Sequence, residues 1–135
     1  MPKILIVDDE PAILSMLKIA LAASFEVETA RSAAQGIAAV GSDRFDLVLT
    51  DMRMETPAAG YEVVRAACRQ NPRPAVAILT AFPISPSEWR PSGADALLVK
   101  GSDILRLPET LQALMKAPPQ KEKLPGPENV ASDAS

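Results

Sequence analysis

Short runs of large aliphatic residues recur along this chain, separated by segments with apolar positions at helical spacing. Uninterrupted aliphatic runs are typical of strands buried on both faces of a parallel sheet. Four such interior strands are predicted, at residues 3–7, 46–49, 75–79 and 94–99. Residues 25–29 alternate apolar and polar positions instead, which predicts a half-exposed strand at the edge of the sheet.

Helical patterns fill the segments between these strands. Helices are predicted at residues 11–23, 33–40, 61–69 and 109–116, the second beginning after Ser32 as N-cap and closed by Gly41. Between the fourth and fifth strands, Pro83, Pro86 and Pro91 restrict the backbone and remove hydrogen-bond donors, so any helix there is expected to be short or broken. Strands that alternate with helices predict an α/β fold, a doubly wound five-stranded parallel sheet with helices on both faces.

Length and composition limit the domain organisation. The 135 residues fit one domain, predicted at residues 1–116. Residues 117–135 carry four prolines and few large aliphatics, which predicts a disordered tail. The net charge of −3 is spread over both signs, so nucleic acid is not an expected direct partner. The first apolar run is too short for a signal peptide or a membrane span, and a cytoplasmic location is expected.

The chain has no histidine and one cysteine, Cys68. The lack of histidine excludes Ser-His-Asp and Cys-His nucleophiles, His-ligated zinc and a phosphohistidine carrier. A single cysteine excludes an internal disulfide and a multi-cysteine zinc site. Any chemistry must therefore use carboxylates, hydroxyls and lysine.

Polar residues that could take part in catalysis or binding follow four of the predicted strands. Asp8 and Asp9 follow the first strand, Asp51 the third, Thr80 the fourth and Lys100 the fifth. Because parallel strands end at one edge of the sheet, where ligands bind in such folds, we expect these side chains to meet. Crowded carboxylates favour a cation, and Mg²⁺ prefers such oxygen ligands. Asp51 could then attack a phosphoryl group, whose charge Lys100 and Thr80 would stabilise.

Each of these residues also has a purely structural explanation. Asp8 or Asp9 could cap the first helix, and Asp51 could form a turn. Thr80 could be an ordinary β-branched strand residue, and Lys100 a solvated strand end. Together these explanations require four coincidences at four strand ends, so the functional interpretation is preferred.

Four sequence motifs resemble the receiver domain of two-component response regulators. The motifs are ILIVDDE at 4–10, DLVLTDMRM at 46–54, LTA at 79–81 and GADALLVK at 93–100. Each is weak alone, but their order and spacing are specific, and the similarity spans about residues 1–116. The resemblance implies a flavodoxin-like strand order of 2-1-3-4-5, as in chemotaxis receivers.

The resemblance also implies a role for each residue of the predicted site. Asp51 would accept a phosphoryl group from a sensor histidine kinase or phosphotransfer protein. Asp9, Asp51 and the backbone carbonyl of Arg53 would hold Mg²⁺, and Asp8 would assist through water. Thr80 and Lys100 would contact the phosphate and relay its presence to an unidentified downstream protein. The chain would then be a signalling phosphoacceptor rather than an enzyme.

The chain departs from the receiver pattern at several positions. Leu97 stands where receivers usually have an aromatic residue that is coupled to the threonine equivalent to Thr80. Gly101 stands where receivers generally have proline. Glu55 occupies a position where proline is common, and Gly60 falls one residue later than usual. These departures affect the surface that receivers use for output.

Two other functions are compatible with parts of the sequence. The altered output side would suit a receiver-like scaffold that binds a partner without a phosphorylation cycle. A magnesium-dependent phosphatase with an aspartyl-phosphate intermediate is disfavoured, because Arg53 leaves no second aspartate two residues beyond Asp51.

Overall fold

The strands of the computed structural model, which describes residues 1–117, form one parallel sheet. They are β1 (Lys3–Val7), β2 (Glu26–Ala30), β3 (Leu47–Thr50), β4 (Ala75–Thr80) and β5 (Ala96–Val99). Their order is β2-β1-β3-β4-β5, and every neighbouring pair is parallel. The predicted fold class and strand order are confirmed.

Helices cover both faces of this sheet. They are α1 (Pro11–Leu21), α2 (Ala33–Ser42), α3 (Ala59–Cys68), α4 (Pro86–Trp89) and α5 (Leu107–Lys116). Buried residues of α1 and α5 belong to one core cluster, and those of α2, α3 and α4 belong to another. The sheet is therefore doubly wound, with a core on each side.

The strand β1 shows how one apolar run serves both cores. Ile4 and Ile6 pack into the cluster shared with α1 and α5, whereas Leu5 and Val7 pack into the cluster on the opposite face. Side chains alternate between faces along a strand, so a strand covered on both sides needs apolar residues at every position. This requirement explains the unbroken run in the sequence.

The predicted end of the second helix is wrong. Gly41 was expected to close the helix, but α2 continues through it to Ser42, and Asp43 N–H donates to the Ala39 carbonyl at 3.0 Å. A terminal glycine is favoured where the backbone enters the left-handed region. Gly41 does not have such a backbone; in residues 1–117 only Gly93 and Gly101 have a positive φ.

Other boundaries differ by one or two residues from those predicted. The first helix ends at Leu21, the edge strand runs from Glu26, and the third helix begins at Ala59. The last strand begins at Ala96, and the last helix begins at Leu107. These shifts leave the identity and order of the elements unchanged.

The helix between β4 and β5 is short, as the three prolines predicted. It has four residues and is followed by a 3-10 turn at Arg90–Ser92. Buried Trp89 anchors it to the core cluster that contains α3. The chain then turns at Gly93, whose φ of 102° favours glycine.

The last features of the chain concern its C-terminal end and its relation to a membrane. The predicted tail at 117–135 lies outside the described residues except for Ala117. Within residues 1–117, no helix combines the length and the apolar character that crossing a membrane would require.

Candidate functional site

The carboxyl ends of four adjacent strands, β1, β3, β4 and β5, lie along one edge of the sheet. Val7 pairs with Thr50, and Thr80 pairs with Val99, so the residues that follow them leave the sheet side by side. Asp51 N–H donates to the Val7 carbonyl at 2.8 Å, and Lys100 N–H donates to the Thr80 carbonyl at 2.7 Å. The backbone ladder thereby continues one residue past each strand and fixes the positions of Asp51 and Lys100.

Three carboxylates gather at this edge. One oxygen from each of Asp8, Asp9 and Asp51 lies within 4.8 Å of the others. Asp8 and Asp51 are buried, whereas Asp9 is exposed. The cluster therefore opens to solvent on the side of Asp9.

Lys100 supplies the cation nearest to these acids. Its Nζ lies 3.0 Å from Asp8 Oδ2 and 3.5 Å from Asp51 Oδ1, and 4.0 Å from the exposed Glu10. Burial lowers the pKa of the Lys100 amine, but the hydrogen bond to Asp8 and the charges of Asp51, Asp8 and Glu10 outweigh it, so the net pKa is raised. Lys100 is therefore held in its charged form.

The environment of Asp51 disfavours its charge. Burial, followed by the negative charge of Asp8, raises the pKa of Asp51 to about 6, against the opposing effects of Lys100 and the Met52 N–H. Met52 N–H donates to Oδ1 at 2.8 Å, and Lys100 also approaches Oδ1. The Met52 N–H and the Lys100 ammonium therefore both lie close to Oδ1 of this carboxylate.

Thr80 and Arg53 lie beside this cluster. Thr80 is buried at the end of β4, and its Oγ1 accepts a long hydrogen bond of 3.4 Å from Phe82 N–H. Arg53 is exposed in the loop after Asp51. Met52, Arg53 and Thr80 border one cavity of about 330 Å³, which Tyr61 and Phe82 also line. All residues predicted for the site are thus at the carboxyl edge of the sheet.

The donor set fits a hard divalent cation. Within residues 1–117, the ion pairs of these three carboxylates involve one ammonium, that of Lys100, so the cluster keeps a net negative charge when all of these groups are ionised. Two of the acids are buried, which makes their repulsion costly. Mg²⁺ binds one or two carboxylates and retains water ligands, and the exposed side at Asp9 leaves room for them.

Helix capping does not account for Asp8. The N-cap of α1 is Glu10, and no side chain caps this helix. Asp8 Oδ1 accepts a hydrogen bond from Glu10 N–H at 3.0 Å, which precedes the first helical residue. The carboxylate therefore orders the turn between β1 and α1 and does not satisfy the first-turn amides of the helix.

A close backbone contact holds α3 against the site. Gly60 N–H donates to the Met52 carbonyl at 2.8 Å, and a Cβ at Gly60 would lie 2.3 Å from the Asp51 carbonyl oxygen. Only glycine permits this approach. The sequence shows the shifted position of Gly60 but does not show this contact. The Met52 N–H that donates to Asp51 could not be predicted either, because a sequence does not indicate which backbone donors bind a side chain.

The positions that depart from the receiver pattern have distinct surroundings. Leu97 is partly buried and packs on the core cluster that contains α3. Gly101 has a φ of 97°, which proline cannot adopt. The turn after Lys100 therefore follows a backbone path that requires its glycine.

Comparisons with known proteins agree with the fold. Residues 4–112 match the family model of the response regulator receiver domain. The chain is 33% identical over 127 residues to the response regulator protein PilR of Pseudomonas aeruginosa. That match covers 91% of this chain but 28% of PilR, so the chain spans less than a third of that relative.

Two solved structures share the fold over most of their length. A CheY-like response regulator receiver domain protein from Methanospirillum hungatei superposes with a TM-score of 0.77 at 28% identity, covering 86% of this chain and 94% of the other. The response regulator protein TrrA of Thermotoga maritima, crystallised in complex with Mg²⁺-BeF, gives a TM-score of 0.74 at 30% identity. That match covers 84% of this chain and 99% of TrrA.

Proposed function

Because this chain belongs to the family of response regulator receiver domains, we propose that Asp51 accepts a phosphoryl group in a Mg²⁺-dependent reaction. Receiver domains are signalling phosphoacceptors rather than catalytic enzymes. The observation that carries the proposal is the cluster of Asp8, Asp9 and Asp51 with Lys100 at the carboxyl edge of the parallel sheet. The structural unit of this function is the domain at residues 1–116.

The proposed reaction is nucleophilic displacement at phosphorus. A carboxylate oxygen of Asp51 attacks a phosphohistidine of a sensor histidine kinase or phosphotransfer protein, and the phosphorus–nitrogen bond breaks as the new phosphorus–oxygen bond forms. The electron pair stays on the imidazole nitrogen, and Asp51 becomes an acyl phosphate. The contacts of Met52 N–H and Lys100 with Oδ1 support this role, because they orient the carboxylate at the carboxyl edge of the sheet.

Four groups of the chain would hold Mg²⁺: the carboxylates of Asp8, Asp9 and Asp51 and the backbone carbonyl of Arg53. Asp8 would act chiefly through water, since its two oxygens already accept from Glu10 N–H and contact Lys100. The bound ion would supply positive charge to the phosphoryl oxygens. TrrA, at 30% identity, was crystallised with Mg²⁺-BeF, which supports magnesium as the metal.

Lys100 and Thr80 would contact the transferred group from the protein side. The Lys100 ammonium lies 3.5 Å from Asp51 Oδ1, and Asp8 holds it there. It can therefore stabilise the negative charge that develops on the phosphoryl oxygens during the transfer. In the described part of the chain, the Thr80 hydroxyl makes one long hydrogen bond, with Phe82 N–H at 3.4 Å, and can turn to a phosphoryl oxygen at low cost. That turn would move the loop after β4 and present the change to a downstream protein.

Mass spectrometry of the intact protein tests this function. The wild type is incubated with a small acyl-phosphate donor and MgCl₂ and compared with Asp51→Asn. Asp46→Asn is the matched control, because Asp46 precedes β3 at the opposite edge and binds Lys3 N–H at 2.8 Å. The wild type and Asp46→Asn are expected to gain one phosphoryl group, and Asp51→Asn none. A folded wild type that gains no mass contradicts the proposal.

Two features support the scaffold alternative. On the side expected to signal, α4 has four residues and Leu97 stands at the place of an aromatic residue. A leucine side chain has no polar tip that could exchange between buried and exposed positions. If the folded wild type fails to accept a phosphoryl group, a binding role without a phosphorylation cycle takes its place.

A further inference from the structure

Glu55 connects the loop after Asp51 to a neighbouring helix. Its Oε1 accepts a hydrogen bond from Ala33 N–H at 2.9 Å, and its Oε2 accepts one from Ala34 N–H at 3.2 Å. These amides belong to the first two residues of α2.

The helix α2 has a cap of its own as well. Ser32 Oγ accepts from Gln35 N–H at 3.0 Å, and Gln35 Oε1 accepts from Arg31 N–H at 2.9 Å. These local bonds mark the start of the helix, as the sequence predicted for Ser32. Glu55 is thus an additional connection across more than twenty residues, between two elements that are distant in the chain.

The same loop carries Arg53, whose carbonyl is a proposed metal ligand. At one end the loop is fixed by Gly60 N–H, which donates to the Met52 carbonyl. Inside it, Thr56 O accepts from Met54 N–H and from Ala59 N–H, the first residue of α3, so these bonds join the loop only to the helix that follows it and not to α2. Arg53 therefore lies between the anchor at Met52 and the anchor at Glu55.

We propose that Glu55 is a positioning residue for the metal site, holding the Arg53 carbonyl in place by tying its loop to the N-terminus of α2. A ligand that is ordered before binding loses less conformational entropy when the metal binds. Residues behind metal ligands commonly change metal affinity when they are removed. This inference rests on the proposed function, since it presupposes that Mg²⁺ binds at the carboxylate cluster.

The test separates the loop connection from the stability of α2. Mg²⁺ alone is titrated into metal-free protein by calorimetry, for the wild type, Glu55→Ala, Glu55→Gln and Ser32→Ala. Ser32→Ala is the matched control, because it removes a cap of the same helix and leaves the Glu55 contacts in place. Amide hydrogen exchange at Ala33 and Ala34 in metal-free protein reports whether the connection has been lost.

Glu55→Ala is expected to raise the Mg²⁺ dissociation constant roughly tenfold and to speed exchange at Ala33 and Ala34. Glu55→Gln keeps an acceptor oxygen and is expected to lie between Glu55→Ala and the wild type, and it replaces Glu55→Ala if that variant fails to fold. Ser32→Ala is expected to bind Mg²⁺ as the wild type does.

Two results overturn the inference on Glu55 alone. One is unchanged Mg²⁺ affinity in the Glu55 variants, and the other is equal weakening in Ser32→Ala, which would assign the effect to helix stability. A wild type that binds no Mg²⁺ overturns both this inference and the metal site of the proposed function. The failures are therefore distinguishable.

Discussion

The Nζ of Lys100 lies 3.5 Å from Oδ1 of Asp51, although the two residues end different strands, with β4 between these strands in the sheet. The same ammonium contacts Asp8 at 3.0 Å, so one cation serves two buried carboxylates. This shortage of positive charge makes the site sensitive to pH and to divalent metal, and the first two predictions follow from it.

The first prediction concerns the pH dependence of stability in metal-free protein. Folding raises the pKa of Asp51 from its ordinary value, about 4, to about 6, so the folded protein holds this proton more tightly than the unfolded chain. The resulting stability is fully present below about pH 4 and is lost as pH rises through 6, a loss of about 2–3 kcal/mol in the free energy of unfolding.

Asp51→Asn removes this dependence, because an amide does not titrate. Urea unfolding from pH 4 to pH 7 in the presence of a chelator measures the difference between the wild type and the variant. The wild type is expected to lose stability relative to Asp51→Asn across this range. Parallel pH profiles for the two proteins would mean that the pKa of Asp51 is not raised by folding.

The second prediction is that Mg²⁺ stabilises the wild type through the exposed acid of the cluster. At a Mg²⁺ concentration about a hundredfold above the dissociation constant, binding to the folded state adds about 2.7 kcal/mol to the free energy of unfolding. Asp9→Asn is expected to lose most of this gain in thermal unfolding with MgCl₂. Glu10→Gln is the control, since this neighbouring acid lies outside the cluster of three carboxylates. Equal responses from the two variants would argue against Asp9 as a ligand.

The third prediction contrasts two glycines. A Cβ at Gly60 would lie 2.3 Å from the Asp51 carbonyl oxygen and 2.8 Å from Met52 Cα, so Gly60→Ala must displace backbone at the site. It is expected to lower the free energy of unfolding by about 3 kcal/mol. Gly41→Ala meets nothing within 4 Å inside α2 and is expected to raise it by about 0.5–1 kcal/mol. Chemical denaturation of both variants checks the contrast, which a tolerated Gly60→Ala would contradict.

The fourth prediction concerns the Tyr61 hydroxyl. It is buried and, within residues 1–117, has no hydrogen-bond partner. Burial, and to a lesser extent the charge of Glu88, raises the pKa of this phenol. Because an unsatisfied buried hydroxyl is costly, Tyr61→Phe is expected to raise the free energy of unfolding by about 1 kcal/mol in urea titrations. A loss of stability would indicate that the hydroxyl has a favourable interaction in solution.

The order of the elements and the location of the site could be predicted because both follow from short-range patterns. Unbroken aliphatic runs identified the interior strands, and the residue that ends each run identified the acidic cluster and Lys100. In parallel strands these ends must meet, so spacing along the chain translated directly into proximity. The short α4 could likewise be predicted, from Pro83, Pro86 and Pro91.

Other features depend on contacts that a sequence does not display. The helix α2 passes through Gly41, whose backbone does not enter the left-handed region that would end the helix there. The role of Glu55 depends on a helix more than twenty residues away. The pKa of Asp51 depends on burial and on the position of Asp8, which only the folded chain defines.

Chemical trapping of the phosphorylated residue tests the central claim most directly. Protein treated with an acyl-phosphate donor and MgCl₂ is reduced with borohydride, which converts an aspartyl phosphate to homoserine, and the modified position is located by peptide mass mapping. The account predicts homoserine at position 51 and at neither Asp8 nor Asp9, with no conversion when Mg²⁺ is chelated. Conversion at Asp8 or Asp9, or phosphoryl uptake with no homoserine at position 51, would contradict it.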